Sequence, residues 1–365
     1  MGGAISVRGL WKVFGPRPDR IVGSPMADLP RRELEARTGN VAAVRDIDLD
    51  VEPGETFVVM GLSGSGKSTL VRCLTRLIEP TAGTVRIGEL DVTAADEARL
   101  LDLRRHRVSM VFQHFGLLPH RDLADNVAFG LEVQGLDRAA RRSTAEQFLE
   151  LVGLSGLGTA KPDQLSGGMQ QRVGLARALA TGPEVLLFDE PFSALDPVIR
   201  RDMQDEVVRL RGETATTIVF IPPDLVAALR LGDRIAIMRD GRFVQVGTPA
   251  EVVGAPADDD VALFVRDVSR ANVLPVEAVM APLDGTADDN DDAFVAVVAL
   301  GTTVRDVLGA LARSDRPVGV ADGEGRVVGV VDRATALRVV AGADDVRSGA
   351  KPVDPVDPVE RAAAR

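Results

Sequence analysis

The amino-acid sequence predicts an α/β protein built on a parallel sheet, followed by a smaller α+β domain. Three observations predict this. Short runs apolar on both faces recur at residues 56–60 (TFVVM), 185–188 (VLLF) and 216–221 (TTIVFI), as strands covered by helices on both sides require. The first run enters a glycine-rich turn and then a helical stretch, which is how a parallel α/β domain begins. An acidic, Pro-containing stretch, Ala255-Pro256-Ala257-Asp258-Asp259-Asp260, then interrupts the pattern, and shorter elements follow it.

In chain order, Ile5, Val7 and the mainly apolar residues 10–14 read as a strand. A polar insertion occupies residues 16–40, and a second strand runs through residues 44–51. The helix after the glycine turn starts at Ser68 and runs to about Leu77. Residues 122–157 turn helical with few β-branched runs, the mark of an inserted helical subdomain at about residues 115–170. Residues 234–238 and 242–246 flank Asp240-Gly241 as a hairpin. Beyond the acidic stretch, helices are expected at 302–312 and 332–341. Short strands at 317–320 and 327–331 surround the turn Asp322-Gly323-Glu324-Gly325, and residues 287–292 (ADDNDD) read as a loop. The tail, residues 343–365, carries PVDPVDPV and should be disordered, because it holds too little apolar surface to offset chain entropy.

With 45% hydrophobic and 27% charged residues, the 365-residue chain reads as a globular protein with a large core. No apolar run reaches bilayer length, and the N-terminus does not read as a secretory signal. The lone Cys73 fits a reducing compartment and a small buried apolar role. A net charge of −11 argues against nucleic acid as a partner, since duplex affinity rests on neutralising phosphates. The basic run Arg104, Arg105, His106, Arg107 reads as a solvated helix face.

Gly61-Leu62-Ser63-Gly64-Ser65-Gly66-Lys67-Ser68-Thr69 matches G-x-x-x-x-G-K-[ST]. Glycines let successive N–H groups turn inward around phosphate oxygens, and the helix that follows offers its positive end. Lys67 is expected at the β- and γ-phosphates and the Ser68 hydroxyl on Mg²⁺. Asp189 and Glu190 end the VLLF strand, where open α/β sheets bind ligands. Asp189 is expected to hold Mg²⁺ through water and Glu190 to polarise the attacking water.

Leu165-Ser166-Gly167-Gly168-Met169 resembles the ABC signature motif, and the chain is similar to ABC transporter ATP-binding subunits of the glycine betaine/proline importer type. The likeness extends over most of residues 4–265, through VFQHFGLLPHRDLADNVAFGLEVQG, LSGGMQQRVGLARALA, FDEPFSALDPVIRRDMQDE, GDRIAIMRDGRFVQVGTPAEV and the insertion before Val44. It implies a P-loop NTPase fold, specifically an ABC nucleotide-binding domain over residues 1–265 with an inserted helical subdomain. It also implies ATP and Mg²⁺ as cofactors and a homodimer that sandwiches ATP. Ser166, Gly167, Gly168 and Asp196 of one copy would then complete the site of the other. By the same resemblance Gln113 touches Mg²⁺ and water, and Phe14 stacks on adenine, with Trp11 close enough to compete. A membrane permease and a solute-binding protein are the implied partners, at the cytoplasmic face of the cell membrane. The segment His114-Phe115-Gly116-Leu117-Leu118-Pro119 stands where the permease docks, although Phe115 and Leu117 read equally well as core.

Two departures qualify the resemblance. The family's Ser-His-Asp after the TTIVFI strand is here Pro222-Pro223-Asp224, so the histidine that contacts the γ-phosphate is missing. All three histidines, His106, His114 and His120, precede the catalytic strand. Losing one preorganised transition-state donor costs about 10²–10³ in rate, so slow hydrolysis is expected. A degenerate regulatory subunit and a non-transport ABC ATPase are the alternative readings. Residues 266–342 resemble a single or truncated CBS unit, β-α-β-β-α, that either pairs across a homodimer or is a remnant.

Overall fold

The structure, a computed structural model, describes residues 3–112, 116–192, 197–213, 216–283 and 293–342. The chain folds as two compact units, Met1–Pro249 and Ala250–Arg365.

The first unit opens with strand β1 (Ile5–Phe14). Two short 3₁₀ turns, Pro18–Arg20 and Pro25–Asp28, and helix α1 (Arg31–Thr38) follow, so the polar insertion is folded. Strand β2 (Val41–Val51) starts earlier than the sequence suggests, because residues 41–44 pair with the end of β1. Then come β3 (Thr56–Met60), α2 (Lys67–Leu74), β4 (Ala82–Ile87), β5 (Leu90–Asp91), α3 (Glu97–His106) and β6 (Val108–Val111). Helix α2 stops short of the expected Leu77, since Arg76 takes a left-handed φ of 53°. The helical region is broken into α4 (Leu123–Val127), α5 (Phe129–Val133) and α6 (Arg138–Leu151), with α7 (Gly167–Ala180) packed against them. The unit closes with β7 (Val185–Asp189), α8 (Pro197–Glu213), β8 (Thr217–Ile221), α9 (Leu225–Leu231), β9 (Arg234–Arg239) and β10 (Arg242–Gly247).

One sheet has the order β2-β1-β4-β5 and is antiparallel. The other has the order β10-β9-β3-β8-β7-β6 and is parallel except for the edge strand β10. Strands β3, β7 and β8 are buried at every residue, as the two-faced apolar runs predict. Val7, Val44, Phe57, Leu70, Leu74 and Val85 form one core with Leu187 of β7 and Val219 of β8. Near the ends of β7 and β8, Phe188, Phe192 and Phe220 form an aromatic cluster, with Phe188 and Phe220 edge-to-face at 5.4 Å. The β9/β10 turn forms at Asp240 (φ 48°) and Gly241 (φ 85°), the two positive φ values that a tight hairpin demands.

The second unit holds α10 (Pro249–Gly254) for all but its first residue, then α11 (Asp259–Val265), β11 (Ala281–Pro282), β12 (Ala296–Ala299), α12 (Val304–Arg313), β13 (Val318–Ala321), β14 (Val327–Val331) and α13 (Arg333–Ala341). Its sheet order is β11-β14-β13-β12, with β12 and β13 parallel and β13 and β14 antiparallel. From β12 onward the order is the expected β-α-β-β-α. Val304, Val307 and Leu311 of α12 pack with Val318, Val320, Val331 and Val339. The ADDNDD segment and the tail at residues 343–365 lie outside the described residues.

Candidate functional site

The parallel sheet decides where the site lies. Loops after β3 and β7 leave at carboxyl ends, and β8 stands between those two strands. The phosphate-loop residues Gly61, Ser63, Gly64, Ser65 and Gly66 follow β3, and Asp189-Glu190 stand at the end of β7. The residues after Ile221 therefore leave the sheet between them, so Pro222 and Pro223 lie beside the site.

Two loop positions admit only glycine. Gly61 has φ 144°, and a Cβ there would lie 2.1 Å from the Met238 carbonyl oxygen. Gly66 has φ 110°, and its Cβ would lie 1.9 Å from the Ala43 carbonyl oxygen. The loop is thus pressed between β9 and β2. The hairpin turn supports it as well, since the Gly241 N–H donates to the Ser65 carbonyl at 3.0 Å. Gly66 caps α2 without a side-chain acceptor, leaving first-turn N–H groups for an anion. The Ser65 hydroxyl is buried and has no protein partner. Ser68 and Thr69 lie in the first turn of α2, and Ser63 and Gly64 are exposed.

Lys67 folds back over this loop. Its ammonium donates to the carbonyls of Gly61 at 2.9 Å and Leu62 at 3.2 Å. Burial pushes its pKa below the usual lysine value, opposed by the nearby charges of Glu190 and Asp189. Lys67 opens α2 after β3, Asp189 and Glu190 stand at the end of β7, and α2 touches Asp189 through Arg72. Asp189 is 2% exposed and accepts from Arg72 Nε at 3.2 Å and Nη2 at 2.9 Å, both on Oδ2. No motif in the sequence singles out Arg72. Its one signal is an arginine in an otherwise buried apolar turn made of Leu70, Val71, Cys73 and Leu74. Glu190 takes a left-handed φ of 50° while its N–H donates to the Ile221 carbonyl at 3.1 Å. A non-glycine residue held this way costs about 1–3 kcal/mol, and such residues cluster at functional sites.

The other predicted residues are more dispersed. Phe14 ends β1 and is 42% exposed, with the Lys12 ammonium 4.9 Å from its ring centre. Trp11 is instead taken into a core with Val13, Ile21 and Leu34. Ser166 is the exposed N-cap of α7, its Oγ accepting from the Met169 N–H at 3.4 Å. A Cβ on Gly167 would meet open space, and Gly168 follows it in the first turn. Gln113, His114, Phe115 and Asp196 lie outside the described residues. Asp224 caps α9 through the Ala227 N–H at 2.8 Å and accepts from Arg200 at 3.1 Å. A second residue that no sequence motif flags is Arg31, at the start of α1, whose Nη1 donates to the Gly64 carbonyl.

The site therefore combines a glycine-shaped concave loop, an orphaned hydroxyl, a lysine and two carboxylates. Its oxygen donors suit a hard divalent cation, and its N–H groups suit a polyphosphate.

Comparison with known proteins agrees with this chemistry. Residues 44–193 match the family model described as ABC transporter. The chain is 50% identical over 275 residues to the glycine betaine/proline betaine transport system ATP-binding protein ProV of Salmonella typhimurium, covering 75% of this chain and 69% of that protein. It is 46% identical over 339 residues to the trimethylamine N-oxide transport system ATP-binding protein TmoW of Ruegeria pomeroyi, covering 92% and 96%. Among solved structures, it resembles a dimeric ATP-binding cassette in a post-hydrolysis state bound to ADP and Pi. The TM-score is 0.58 at 29% identity, over 67% of this chain and 98% of that one. With its phosphate loop, helix-capping serine and adjacent carboxylates in this order, the chain belongs to the ABC transporter ATP-binding proteins and is an ATPase of the transport-coupled kind.

Proposed function

We propose that this subunit powers import of a methylated-amine compatible solute, of the glycine betaine or proline betaine type, through a partner permease. The observation that carries the ATPase half of this reading is that Lys67, Asp189 and Glu190 stand at the carboxyl ends of β3 and β7, with only β8 between those strands. The solute half rests on the likeness to ProV. TmoW matches more of the chain, 92% against 75%, so trimethylamine N-oxide is the second solute to test.

In this reading Gly61, Ser63, Gly64, Ser65, Gly66, Lys67, Ser68 and Thr69 hold the phosphates, and the exposed ring of Phe14 takes the adenine. Ser68, Asp189 and Gln113 would hold Mg²⁺, which when bound neutralises phosphate charge and orients the oxygens. Glu190 takes the proton of the attacking water. Ser166, Gly167, Gly168 and Asp196 of a second copy complete the pocket, because a helix N-terminus capped by an exposed serine is itself a half-site for phosphate. Pro223, in place of a histidine, leaves the transition state one donor short.

A groove of about 360 Å³ supports the permease contact. It is lined by Leu77, Leu101, Met110, Phe112, Phe129 and Val133, most of them unusually exposed for their size. Exposed apolar patches of this kind mark interaction sites. No helix among the described residues is long and apolar enough to cross a membrane. The subunit would sit peripherally, at the cytoplasmic face, with a solute-binding protein delivering cargo on the other side. Residues 266–342 form its CBS-like regulatory part in this scheme.

The test is uptake of labelled glycine betaine and trimethylamine N-oxide by cells carrying the chain with its partner permease. Uptake lost in Glu190→Gln and in Leu101→Asp is expected. Uptake of neither solute by the unaltered system would end the solute assignment. Nucleotide-driven pairing of Glu190→Gln protomers that persists in Ser166→Ala would end the shared-site assignment.

A further inference from the structure

The folded insertion, residues 16–40, belongs to no motif of the site, yet it is anchored to β1, β2 and β10 and touches the phosphate loop through Arg31. Its two ends meet, since a Cβ on Gly15 would lie 2.6 Å from the Gly39 carbonyl oxygen. Its apolar residues Ile21, Ala27 and Leu34 are buried against Trp11, Val13 and Ala42 of the β1/β2 hairpin. Two arginines from outside hold its middle. Arg45 of β2 donates to the Leu29 carbonyl at 2.8 Å. Arg242 of β10 donates to the Asp28 carboxylate at 2.6 Å. Arg45 is 3% exposed, and its Nε and Nη2 have no protein partner.

These anchors deliver the start of α1 to the loop. Arg31 places Nη1 on the Gly64 carbonyl, and a Cβ on Gly64 would sit 3.6 Å from that nitrogen. Among the described residues no other hydrogen bond engages the Arg31 guanidinium, so its remaining N–H groups stay available. Arg45 is repelled by Arg242 and Arg31, with Asp240 and Asp28 as the acids facing it. A chain of net charge −11 thus sets one of three neighbouring guanidiniums, that of Arg31, directly on its phosphate loop.

We propose that the insertion is a clasp on the phosphate loop and that Arg31 is a nucleotide-binding residue, adding a guanidinium to the polyphosphate site beyond Lys67. This rests on the reading of residues 61–69 as the phosphate site. Guanidinium geometry suits phosphate oxygens, and one nitrogen spent on Gly64 fixes the plane of the others. The extra charge favours the triphosphate over the diphosphate.

The experiment is calorimetric titration of the full chain with ATP and with ADP, each with Mg²⁺ and with EDTA, for Arg31→Ala, Arg31→Gln and Arg31→Lys. Arg31→Gln keeps a donor for the Gly64 carbonyl and removes the charge. Both neutral variants should bind ATP about five- to tenfold more weakly, ADP less so, and with a shallower salt dependence. Arg31→Lys should recover most of the ATP affinity. ATP binding within about twofold of wild type in both neutral variants would overturn the proposal. So would normal binding by Arg31→Gln beside weak binding by Arg31→Ala, which would make Arg31 a brace for the loop and not a ligand. Lys67→Ala separates the two layers: if it too binds ATP normally, the phosphate-loop reading itself falls.

Discussion

Replacing Arg72 by methionine keeps the apolar stem of the side chain and removes the only cation bonded to Asp189 among the described residues. The carboxylate is 3% exposed at its side chain and Arg72 is 42% exposed. Stripping a buried charge of its partner costs about 3–5 kcal/mol when both ions are buried. Here water can reach the arginine side, so we expect about 2–3 kcal/mol. For a unit of this size that lowers Tm by about 5–10 °C. Trp11 is the only tryptophan and is buried in the first unit, so its fluorescence reports that unit alone. Two additions sharpen the reading. Adding Mg²⁺ and ATP should shrink the deficit, because the ion then supplies the missing charge. Arg72→Met/Asp189→Asn should recover stability relative to Arg72→Met, with a coupling of about 1–3 kcal/mol. A single variant that melts within about 2 °C of wild type, or a double variant whose losses simply add, would refute the argument that this ion pair holds the carboxylate.

Three other outcomes follow from the geometry. The lowered pKa of Lys67 means that, just below 10.5, the folded free chain carries less charge there than the unfolded one, so stability rises with pH through that window. Bound phosphate restores the charge, so nucleotide binding should take up protons in that window and weaken as pH rises; calorimetry in buffers of different ionisation heat checks this, and buffer-independent heats would contradict it. Burial pushes the Cys73 thiol up to about 12, so the folded protein should resist a disulfide reagent at neutral pH and react only on denaturation; rapid stoichiometric labelling would show the site to be open. Pro222→Ser/Pro223→His should raise single-turnover hydrolysis by up to about 10²–10³ by restoring a donor between β3 and β7; an unchanged rate would show that Lys67, Glu190 and their neighbours suffice.

Much of the site is legible directly. The phosphate loop, Asp189-Glu190 and Ser166 follow from residue order, because their chemistry depends on local backbone shape: a glycine turn, a strand end, a helix cap. The hairpin at Asp240-Gly241 and the C-terminal β-α-β-β-α order are legible for the same reason, since turn residues and apolar periodicity act over a few positions. The insertion reads as merely polar. Its helix, with Leu34 as the only buried residue, has too weak an apolar face to announce itself.

The chain by itself determined which donors and acceptors the candidate site offers, since each motif carries them in contiguous residues. What tertiary structure decided was partnership across long separations. It set Arg72 on Asp189, 117 residues apart, and Arg31 on Gly64, 33 residues apart. It also sent Trp11 into the core and left Phe14 exposed, although both stand in one strand. The physical reason is that charge pairing and burial depend on which surfaces the sheet order brings together. A side chain's type and its sequence neighbours do not fix that order.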